Sequence, residues 1–459
     1  MSSKQNGFTR RTFFGGAAAT AAAFSIVPSH VLGGKNGTAP SDKFHFAQVG
    51  VGGRGGANLQ GTLNAGGILV GMADVDSKRA EGAFRRHRNV PNFQDYREML
   101  EKLGDKIDGL VVSTPDHTHA VQAMAGIKAK KHVYCEKPLA RTVYECRALA
   151  EAARKNGVVT QMGNQGHSGG GLARTRELIG SGIIGKVKEV HAWTDRPGVK
   201  GRFWWNQGMT ERPKQEAVPK NLNWDLWQGP RAAVPYGKGY VPFAWRGWWD
   251  YGCGAMGDMA CHNMDSAFTI LKLGAPSKIK VTAPTKAGLS YPIWTIVEFT
   301  FPAIEGRDEI KLFWYEGGKL PKRPEGMLPK YRFGGNGTMF VGEHGAMMGG
   351  SHAGMCRLVT KTKNPNWKKP GKTIVRSEGH YKEWIKAALK QPHGKAGKVI
   401  TPGSNFDYAG PMTEAILAGC IAMRFPGKEL HWDGKNMKFT NCDEANKFVH
   451  YTYRKGWSL

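Results

Sequence analysis

A glycine-rich turn near the start of the chain constrains its fold more than any other feature. An apolar run over residues 44–49 leads into the turn, and small residues follow it. The turn has the spacing G-x-G-x-x-G and consists of Gly50, Val51, Gly52, Gly53, Arg54 and Gly55. With this spacing the first glycine allows a tight turn, the second lets the backbone approach a pyrophosphate, and the third lets helix and strand pack closely. The segment therefore predicts the first strand and helix of a dinucleotide-binding domain, with phosphates at the helix N-terminus.

An acidic residue closes the second apolar run. Residues 68–73 are typical of a buried strand, and Asp74 follows them, nineteen residues after Gly55. A carboxylate at this place can accept hydrogen bonds from both ribose hydroxyls and repels a 2′-phosphate. The sequence therefore predicts NAD as the cofactor. NADP stays open because Lys78 and Arg79 lie close by.

Strand-like and helix-like segments alternate through the first domain, residues 41–164. Further strands are expected at 109–113, 132–135 and 158–162. This alternation predicts a doubly wound parallel sheet with right-handed crossovers. Three segments then lie at the carboxyl edge of that sheet, where a ligand crevice is expected. They are the glycine turn, Thr114-Pro115 and Glu136-Lys137-Pro138.

A buried helix in the second half carries two polar residues on one face. Residues 257–273 have helical spacing and mostly apolar positions, and Asp258 and His262 lie one turn apart. The pair is open to three interpretations: a satisfied core histidine, a metal site or a proton-handling pair. The sequence offers no further ligands at metal-binding spacing, so no metal is predicted.

The stretch 195–250 is irregular and rich in Trp, Pro, Gly and Arg. Sugars bind well to exposed aromatic faces beside charged donors, but tryptophans also serve simply as core packing. The candidate substrate contacts are Arg246, Trp248, Trp249, Asn164 and His262.

Paired arginines mark the N-terminus as a targeting segment. Thr9-Arg10-Arg11-Thr12-Phe13-Phe14 precedes an alanine-rich, uncharged run, and Val31-Leu32-Gly33 is compatible with cleavage after Gly33. This pattern predicts a twin-arginine signal over residues 1–33 and a periplasmic or otherwise exported protein. Because this route carries folded proteins, it suits a chain that takes up its cofactor before export.

Composition excludes several classes of function. The formal net charge is +28, but Lys and Arg are spread along the chain without a recognition-helix pattern or zinc-finger spacing, so no nucleic-acid partner is predicted. The charge instead indicates an anionic environment or an acidic substrate. Outside the N-terminus the chain has no apolar run near ~18 residues, so no membrane span is expected. The seven cysteines predict neither a zinc site nor a disulfide framework.

Four motifs in one order resemble the glucose–fructose oxidoreductase / inositol dehydrogenase family, called Gfo/Idh/MocA. They are the glycine turn, Asp74, a T-P-x-x-x-H segment with Thr114, Pro115 and His119, and Glu136-Lys137-Pro138. The resemblance implies an α/β fold, with a Rossmann domain at 41–164. An α/β domain with a large open, mostly antiparallel sheet would follow at 165–459, its last helix packing back on the first domain. The cofactor site would comprise Gly50, Val51, Gly52, Gly53, Arg54, Gly55, Asp74, Thr114, Pro115, His119, Glu136 and Lys137.

The same resemblance implies that Asp258 and His262 face the nicotinamide and Lys137. His262 would then accept the proton of a substrate hydroxyl, directly or with Lys137 as partner. Lys137 would stabilise charge on the substrate oxygen or act as the base, and Asp258 would orient the imidazole or hold a substrate hydroxyl. The expected catalytic residues are thus Lys137, His262 and Asp258.

The expected activity is hydride transfer between NAD(P) and a secondary hydroxyl of a sugar or cyclitol. Because NADH released in the periplasm has no ready partner, a tightly bound and internally recycled cofactor is expected. Two alternatives stay open: an NAD-dependent glycoside hydrolase using transient ring oxidation and elimination, and a non-catalytic dinucleotide or carbohydrate binder. Retention of Glu136-Lys137-Pro138 favours the oxidoreductase. The resemblance also implies a homo-oligomer, a dimer or a tetramer.

Overall fold

The structure is a computed structural model that describes residues 43–199, 202–284, 288–394 and 397–459. The predicted twin-arginine signal over residues 1–33 lies outside the described residues. Among the helices that the structure describes, none is both long and apolar enough to cross a membrane.

Within the described residues, six strands of the first domain form one parallel sheet in the order β3-β2-β1-β4-β5-β6. The strands are β1 (His45–Val49), β2 (Ile68–Ala73), β3 (Asn92–Phe93), β4 (Gly109–Val112), β5 (His132–Cys135) and β6 (Thr160–Met162). The helices between and after them are α1 (Arg54–Asn64), α2 (Ser77–Arg86), α3 (Tyr96–Leu103), α4 (Asp116–Lys128) and α5 (Val143–Asn156). Strands β4 and β5 read as continuous apolar runs because helices cover both faces of the sheet.

A second sheet lies in the C-terminal half, where nine described strands follow the order β15-β14-β13-β7-β12-β11-β10-β16-β17. Strands β7 and β12 pair in parallel, and the other neighbouring pairs are antiparallel. Strands β8 (Gly198–Val199) and β9 (Arg202–Phe203) form a separate pair. The strands of the large sheet are β7 (Val187–Thr194), β10 (Lys278–Thr282), β11 (Ile296–Phe301), β12 (Ile310–Tyr315), β13 (Asn336–Gly342), β14 (Gly345–Gly349), β15 (Arg357–Leu358), β16 (Glu429–Asp433) and β17 (Lys438–Phe439).

The helices of the C-terminal half connect the two sheets. They are α6 (Gly170–Gly180), α7 (Trp224–Gln228), α8 (Gly254–Asn263), α9 (Asp265–Leu271), α10 (His380–Ala388), α11 (Phe406–Ala422) and α12 (Asp443–Asn446). Helix α11 packs against both α5 of the first domain and α8. A single apolar core therefore runs from the parallel sheet through these helices to the large sheet. This packing fixes α8, and with it Asp258 and His262, beside the carboxyl edge of the parallel sheet.

Two helix boundaries differ from the sequence-based expectation. The helix predicted over residues 257–273 is broken at Met264, between α8 and α9. The apolar pattern from Met412 to Met423 predicts a helix there, but helix α11 begins earlier, at Phe406, although Pro411 lies inside it. The side chain of Asn405 accepts hydrogen bonds from the backbone N–H groups of Asp407 and Tyr408. This cap stabilises the first turn and allows the helix to begin before the proline.

Candidate active site

A cleft of ≈ 670 Å³ opens along the carboxyl edge of the parallel sheet. Its walls come from the glycine turn, the ends of β2, β4 and β5, helix α8 and the irregular stretch 195–250. The predicted site residues that line it are Gly50, Gly52, Arg54, Asp74, Thr114, Pro115, Glu136, Lys137, Arg246, Asp258 and His262. The fold therefore brings both halves of the predicted site into one cleft.

The glycine turn has the geometry that a pyrophosphate requires. Gly50 has φ +77°, and a Cβ at this position would lie 2.6 Å from the carbonyl oxygen of Ser113. A Cβ on Gly55 would lie 2.1 Å from the carbonyl oxygen of Gly50. Gly53 precedes α1, and no side chain of the described residues caps that helix. The amides of Gly55 and Gly56 donate to the carbonyl oxygens of Gly52 and Gly53. The amides of Gly53 and Arg54, which have no hydrogen-bond partner among the described residues, are thus left to a ligand, and they fit a phosphate of a dinucleotide.

Asp74 holds the glycine turn from the end of β2. Its Oδ2 accepts hydrogen bonds from the amides of Val51 at 2.9 Å and Gly52 at 3.3 Å, and its Oδ1 accepts one from the amide of Asp76 at 3.0 Å. Burial raises the pKa of this carboxyl, and the three amide donors partly oppose that shift. Arg79 lies over the turn, because a Cβ on Gly52 would meet its Cγ at 2.5 Å. Asp74 therefore lines the cleft where the ribose of NAD is expected.

Glu136 links the glycine turn to Lys137. Its Oε1 accepts hydrogen bonds from Arg54 at 3.1 Å, Asn58 at 3.0 Å and Gln165 at 3.0 Å. Its Oε2 accepts one from the backbone amide of Lys137 at 3.1 Å. Burial alone would raise the pKa of Glu136, but Arg54 and Lys137 hold it below its ordinary value. This carboxylate acts on its neighbours rather than on a substrate, so Glu136 is a positioning residue.

Lys137 lies at the end of β5 and reaches α8. Its Nζ donates hydrogen bonds to the carbonyl oxygen of Asp258 at 2.8 Å and to Oδ1 of Asp258 at 2.9 Å. An ammonium group has three N–H donors, so one remains for a substrate oxygen. The side chain is 13% exposed, which leaves its tip accessible from the cleft.

Three cationic side chains among the described residues contact the Asp258 carboxylate. Besides Lys137, they are Arg246, with Nε 3.2 Å from Oδ1, and Arg196, with Nε 3.2 Å from Oδ2. Burial alone would raise the pKa of Asp258, but these three charges hold it well below its ordinary value. The carboxylate therefore stays ionised and fixes Lys137. Sequence reasoning missed Arg196, because its place beside Asp258 depends on an irregular loop without a readable period.

His262 lies one turn after Asp258 on α8, but no hydrogen bond joins the two in the described part of the chain. The expectation that Asp258 orients the imidazole is therefore wrong, since Asp258 holds Lys137 instead. Burial, and then the charges of Lys137 and His352, lower the pKa of His262 well below its ordinary value. Its Nδ1 is buried and has no hydrogen-bond partner in the described chain. A neutral imidazole of this kind can accept a proton.

His352 is a cleft residue that sequence reasoning missed. Its ring lies over that of His262, with centroids 4.0 Å apart and planes at 30°. The residue has φ +59°, and its carbonyl oxygen would lie 2.0 Å from a Cβ on Gly166. Only its place in a glycine-rich segment after a strand could have indicated it. Within the described residues, no group of three or more His, Cys, Asp or Glu is arranged to hold a metal ion.

The structure does not bring Trp248 and Trp249 to the cleft, so their prediction as substrate contacts is wrong. Trp248 is 3% exposed and donates from Nε1 to the carbonyl oxygen of Gly239. Trp249 is 5% exposed, and its ring centroid lies 3.6 Å from that of Tyr291. Burial of these large rings in aromatic packing accounts for both positions. The aromatic side chains that line the cleft instead are Tyr96, Trp204, Trp227, Phe243, Trp245 and Trp457.

Two further predicted contacts lie behind the cleft. Asn164 is fully buried, and its Oδ1 accepts a hydrogen bond from Ser404 at 2.5 Å, so it does not reach a substrate. His119 lies with Nε2 2.8 Å from the carbonyl oxygen of Thr114 and Nδ1 2.8 Å from that of Pro138. His119 thus joins the segments after β4 and β5 rather than contacting the cofactor.

Two domain models of one oxidoreductase family match the chain. The NAD-binding Rossmann fold of the family matches residues 44–164, and its C-terminal alpha/beta domain matches residues 169–307. The chain belongs to the Gfo/Idh/MocA family. Its first domain is an NAD-binding Rossmann domain, and the predicted fold, with a parallel sheet followed by a large and mostly antiparallel one, is confirmed.

Curated relatives match this family member over about a third of its length. An inositol 2-dehydrogenase of Salmonella paratyphi B is 31% identical over 147 residues, which are 31% of this chain and 43% of that protein. A 1,5-anhydro-D-fructose reductase of Ensifer adhaerens is 33% identical over 140 residues, 30% of this chain and 41% of that protein. The chain thus spans less than half the length of these relatives.

Solved structures extend the likeness to the whole fold. The WlbA dehydrogenase of Bordetella pertussis, in complex with NADH and UDP-GlcNAcA, is 18% identical with a TM-score of 0.58 and covers 85% of this chain and 99% of its own. An inositol dehydrogenase homolog of Azotobacter vinelandii, with NADH and myo-inositol, is 15% identical with a TM-score of 0.53, covering 85% and 98%. At these identities the likeness establishes the fold alone.

Proposed function

We propose that this protein is an NAD-dependent oxidoreductase that transfers hydride between NAD and a secondary hydroxyl of a sugar or cyclitol. The observation that carries the proposal is the convergence of Lys137, Asp258 and His262 in a cleft continuous with the glycine turn. The names of two relatives, an inositol dehydrogenase and an anhydrofructose reductase, point to the same class of substrate.

The chemistry follows from the protonation states of the site. Bound NAD supplies the hydride acceptor. The remaining N–H of Lys137 donates to the substrate oxygen, where negative charge develops as the carbinol becomes a carbonyl. The hydroxyl proton passes to His262, whose neutral imidazole is available to accept it. Asp258 keeps Lys137 in place and takes no proton.

The two other candidate functions have less support. A redox-neutral glycoside hydrolase and a non-catalytic binder share the Rossmann domain. The chain retains Glu136-Lys137-Pro138 with Lys137 directed at Asp258, an arrangement that a binder does not need. Two of the relatives carry the names of a dehydrogenase and a reductase, which favours the oxidoreductase.

The location of the enzyme is also a proposal. Arg10-Arg11 and the alanine-rich run after them support twin-arginine export to the periplasm, with NAD bound before export and recycled during turnover. A homo-oligomer, a dimer or a tetramer, stays a prediction.

Purified protein tests the proposal directly. Denatured protein should release NAD, detected by mass spectrometry, and native protein should reduce NAD with at least one inositol, aldose or sugar acid. Release of phenol from aryl glycosides without net NADH would identify the hydrolase instead. If every polyol and sugar fails in both directions of the reaction, the oxidoreductase proposal is wrong.

A further inference from the structure

Three cationic side chains share one carboxylate at the substrate end of the cleft. Lys137, Arg196 and Arg246 all contact the single carboxylate of Asp258. Two further acids lie beside these cations: Asp195, whose Oδ1 is 3.9 Å from Nη1 of Arg196, and Asp116, whose Oδ2 accepts a hydrogen bond from the amide of Cys253 at 3.1 Å. Burial raises the pKa of the Asp116 carboxyl and so reduces its capacity to balance the cations. The carboxylate of Asp258 is thus shared among three cations, and neither guanidinium group has it to itself.

The two guanidinium groups are fixed in place before any ligand arrives. Arg246 has its Cζ 4.2 Å from the ring centroids of both Phe243 and Trp245, and the Cζ of Arg196 lies 5.0 Å from that of Trp204. Their side chains are 18% and 20% exposed. Aromatic stacking of this kind holds a planar guanidinium in one orientation and leaves its hydrogen-bonding edge available.

Each arginine has one terminal nitrogen without a hydrogen-bond partner in the described part of the chain. Both use Nε for Asp258, whereas Nη1 of Arg246 donates to the carbonyl oxygen of Phe243 at 3.3 Å and Nη1 of Arg196 to Oδ1 of Asn336 at 3.5 Å. No hydrogen bond joins either Nη2 to another of the residues that the structure describes. Paired N–H donors from arginine match the two oxygens of a carboxylate.

We infer that the substrate is an acidic sugar whose carboxylate binds between Arg196 and Arg246 while its reacting hydroxyl lies at Lys137 and His262. The inference rests on the proposed oxidoreductase function and names the substrate class of the same site. A neutral sugar would leave both Nη2 groups without an anion. Charge-assisted hydrogen bonds of this kind correspond to about 10- to 100-fold in kcat/KM in favour of the acid.

Matched substrate pairs test the inference. D-Glucuronate and D-galacturonate are compared with D-glucose and D-galactose, which differ from them at the carboxylate carbon. The expected result is a kcat/KM at least about 10-fold higher for the acids, with most of the difference in KM. Glucose 6-sulfate and glucose 6-phosphate serve as further arms. Preference for either ester over the uronates would overturn the carboxylate assignment.

Substitution of Arg196 and Arg246 distinguishes recognition of a substrate carboxylate from a structural role in holding Asp258. Arg196→Gln and Arg246→Gln should lower the acid-to-neutral ratio of kcat/KM by about 10-fold, and Arg246→Lys should restore part of it. Arg154→Gln, on the far surface and paired with Asp407, should leave the ratio unchanged. A purely structural role would lower kcat for acids and neutral sugars alike and leave the ratio intact, which would contradict the inference.

Failure of the two proposals gives different results. Turnover of neutral sugars at rates equal to or above those of the acids would refute the acidic-substrate inference and leave the oxidoreductase intact. Absence of turnover with every substrate would refute the oxidoreductase. Calorimetric titration of NADH-loaded protein with D-glucuronate gives an independent readout: binding that Arg246→Gln weakens supports the carboxylate site, and absence of binding refutes it.

Discussion

At the scale of single residues, the site assigns different tasks to groups that look equivalent in the sequence. Glu136 and Asp258 are both buried carboxylates with pKa values below the ordinary range. Glu136 faces α1 and the backbone of Lys137, whereas Asp258 faces the Nζ of Lys137. Glu136 thus fixes the backbone of Lys137, and Asp258 fixes its ammonium group.

Replacement of Lys137 by Met should remove the donor to the substrate oxygen while keeping an unbranched side chain. We expect kcat to fall by about 10²- to 10⁴-fold, the usual contribution of a positioned proton donor or acceptor. NAD affinity should change by no more than a few fold, because the glycine turn and Asp74 are untouched. Lys102→Met is the matched control, since Lys102 is 59% exposed and pairs with Glu98 on the surface. Equal turnover by both variants would remove Lys137 from the mechanism.

At the scale of elements, the turn between β1 and α1 depends on close backbone contact. Two adjacent glycines at the start of α1, Gly55 and Gly56, have different surroundings. A Cβ on Gly55 would lie 2.1 Å from the carbonyl oxygen of Gly50, whereas a Cβ on Gly56 would contact only the carbonyl oxygen of Val51, at 3.5 Å. Both residues belong to α1, so both gain equally in helix propensity from alanine. The difference between them isolates the contact of helix and turn.

Gly55→Ala should weaken NAD binding by roughly 10-fold or more and lower the free energy of unfolding by about 1–3 kcal/mol, because the turn must open to admit the methyl group. Gly56→Ala should bind NAD normally and gain up to about 1 kcal/mol in stability. Titration calorimetry and urea unfolding measure the two effects. Equal behaviour of the two variants would show that the close contact does not hold the turn.

The sequence predicts those elements whose signals are local. Strand β2 and strand β5 match their expected bounds because apolar runs ended by Asp74 and by Glu136 are unambiguous. The stretch 195–250 could not be placed, because its residues are ordered by tertiary contacts rather than by a period. The sequence therefore does not identify Arg196 as a site residue, and it wrongly predicts Trp249 in the cleft. Which side of a loop faces a cavity is decided by packing partners far away in sequence.

At the scale of the whole molecule, two buried groups give stability opposite dependences on pH. Burial lowers the pKa of His117 to about 3, from an ordinary value of 6.5. Burial raises the pKa of Glu316 to about 7, from an ordinary value of 4.5. As the pH falls below 6.5, His117 becomes protonated in the unfolded chain but stays neutral in the native protein. Between pH 4.5 and 7, native Glu316 holds a proton that the unfolded chain has lost.

His117→Gln and Glu316→Gln should separate these two effects. As the pH falls from 6.5 towards 4.5, wild type should lose stability relative to His117→Gln by up to about 1.4 kcal/mol per pH unit. As the pH rises from 4.5 to 7, wild type should lose stability relative to Glu316→Gln at a similar slope. Urea unfolding at pH 5, 6 and 7 provides the measurement. Parallel curves for wild type and either variant would mean that the group titrates alike in the folded and unfolded chain.

The carboxylate of Glu136 holds Arg54 of α1 and the backbone amide of Lys137 at the same time. Under the proposed function, coenzyme and substrate would act on two ends of one hydrogen-bonded unit, and we expect each ligand that orders its own end to lower the entropic cost of ordering the other. Such coupling is thermodynamically reciprocal: the factor by which NAD tightens substrate binding equals the factor by which substrate tightens NAD binding. A site built this way retains its coenzyme most firmly while a substrate is present.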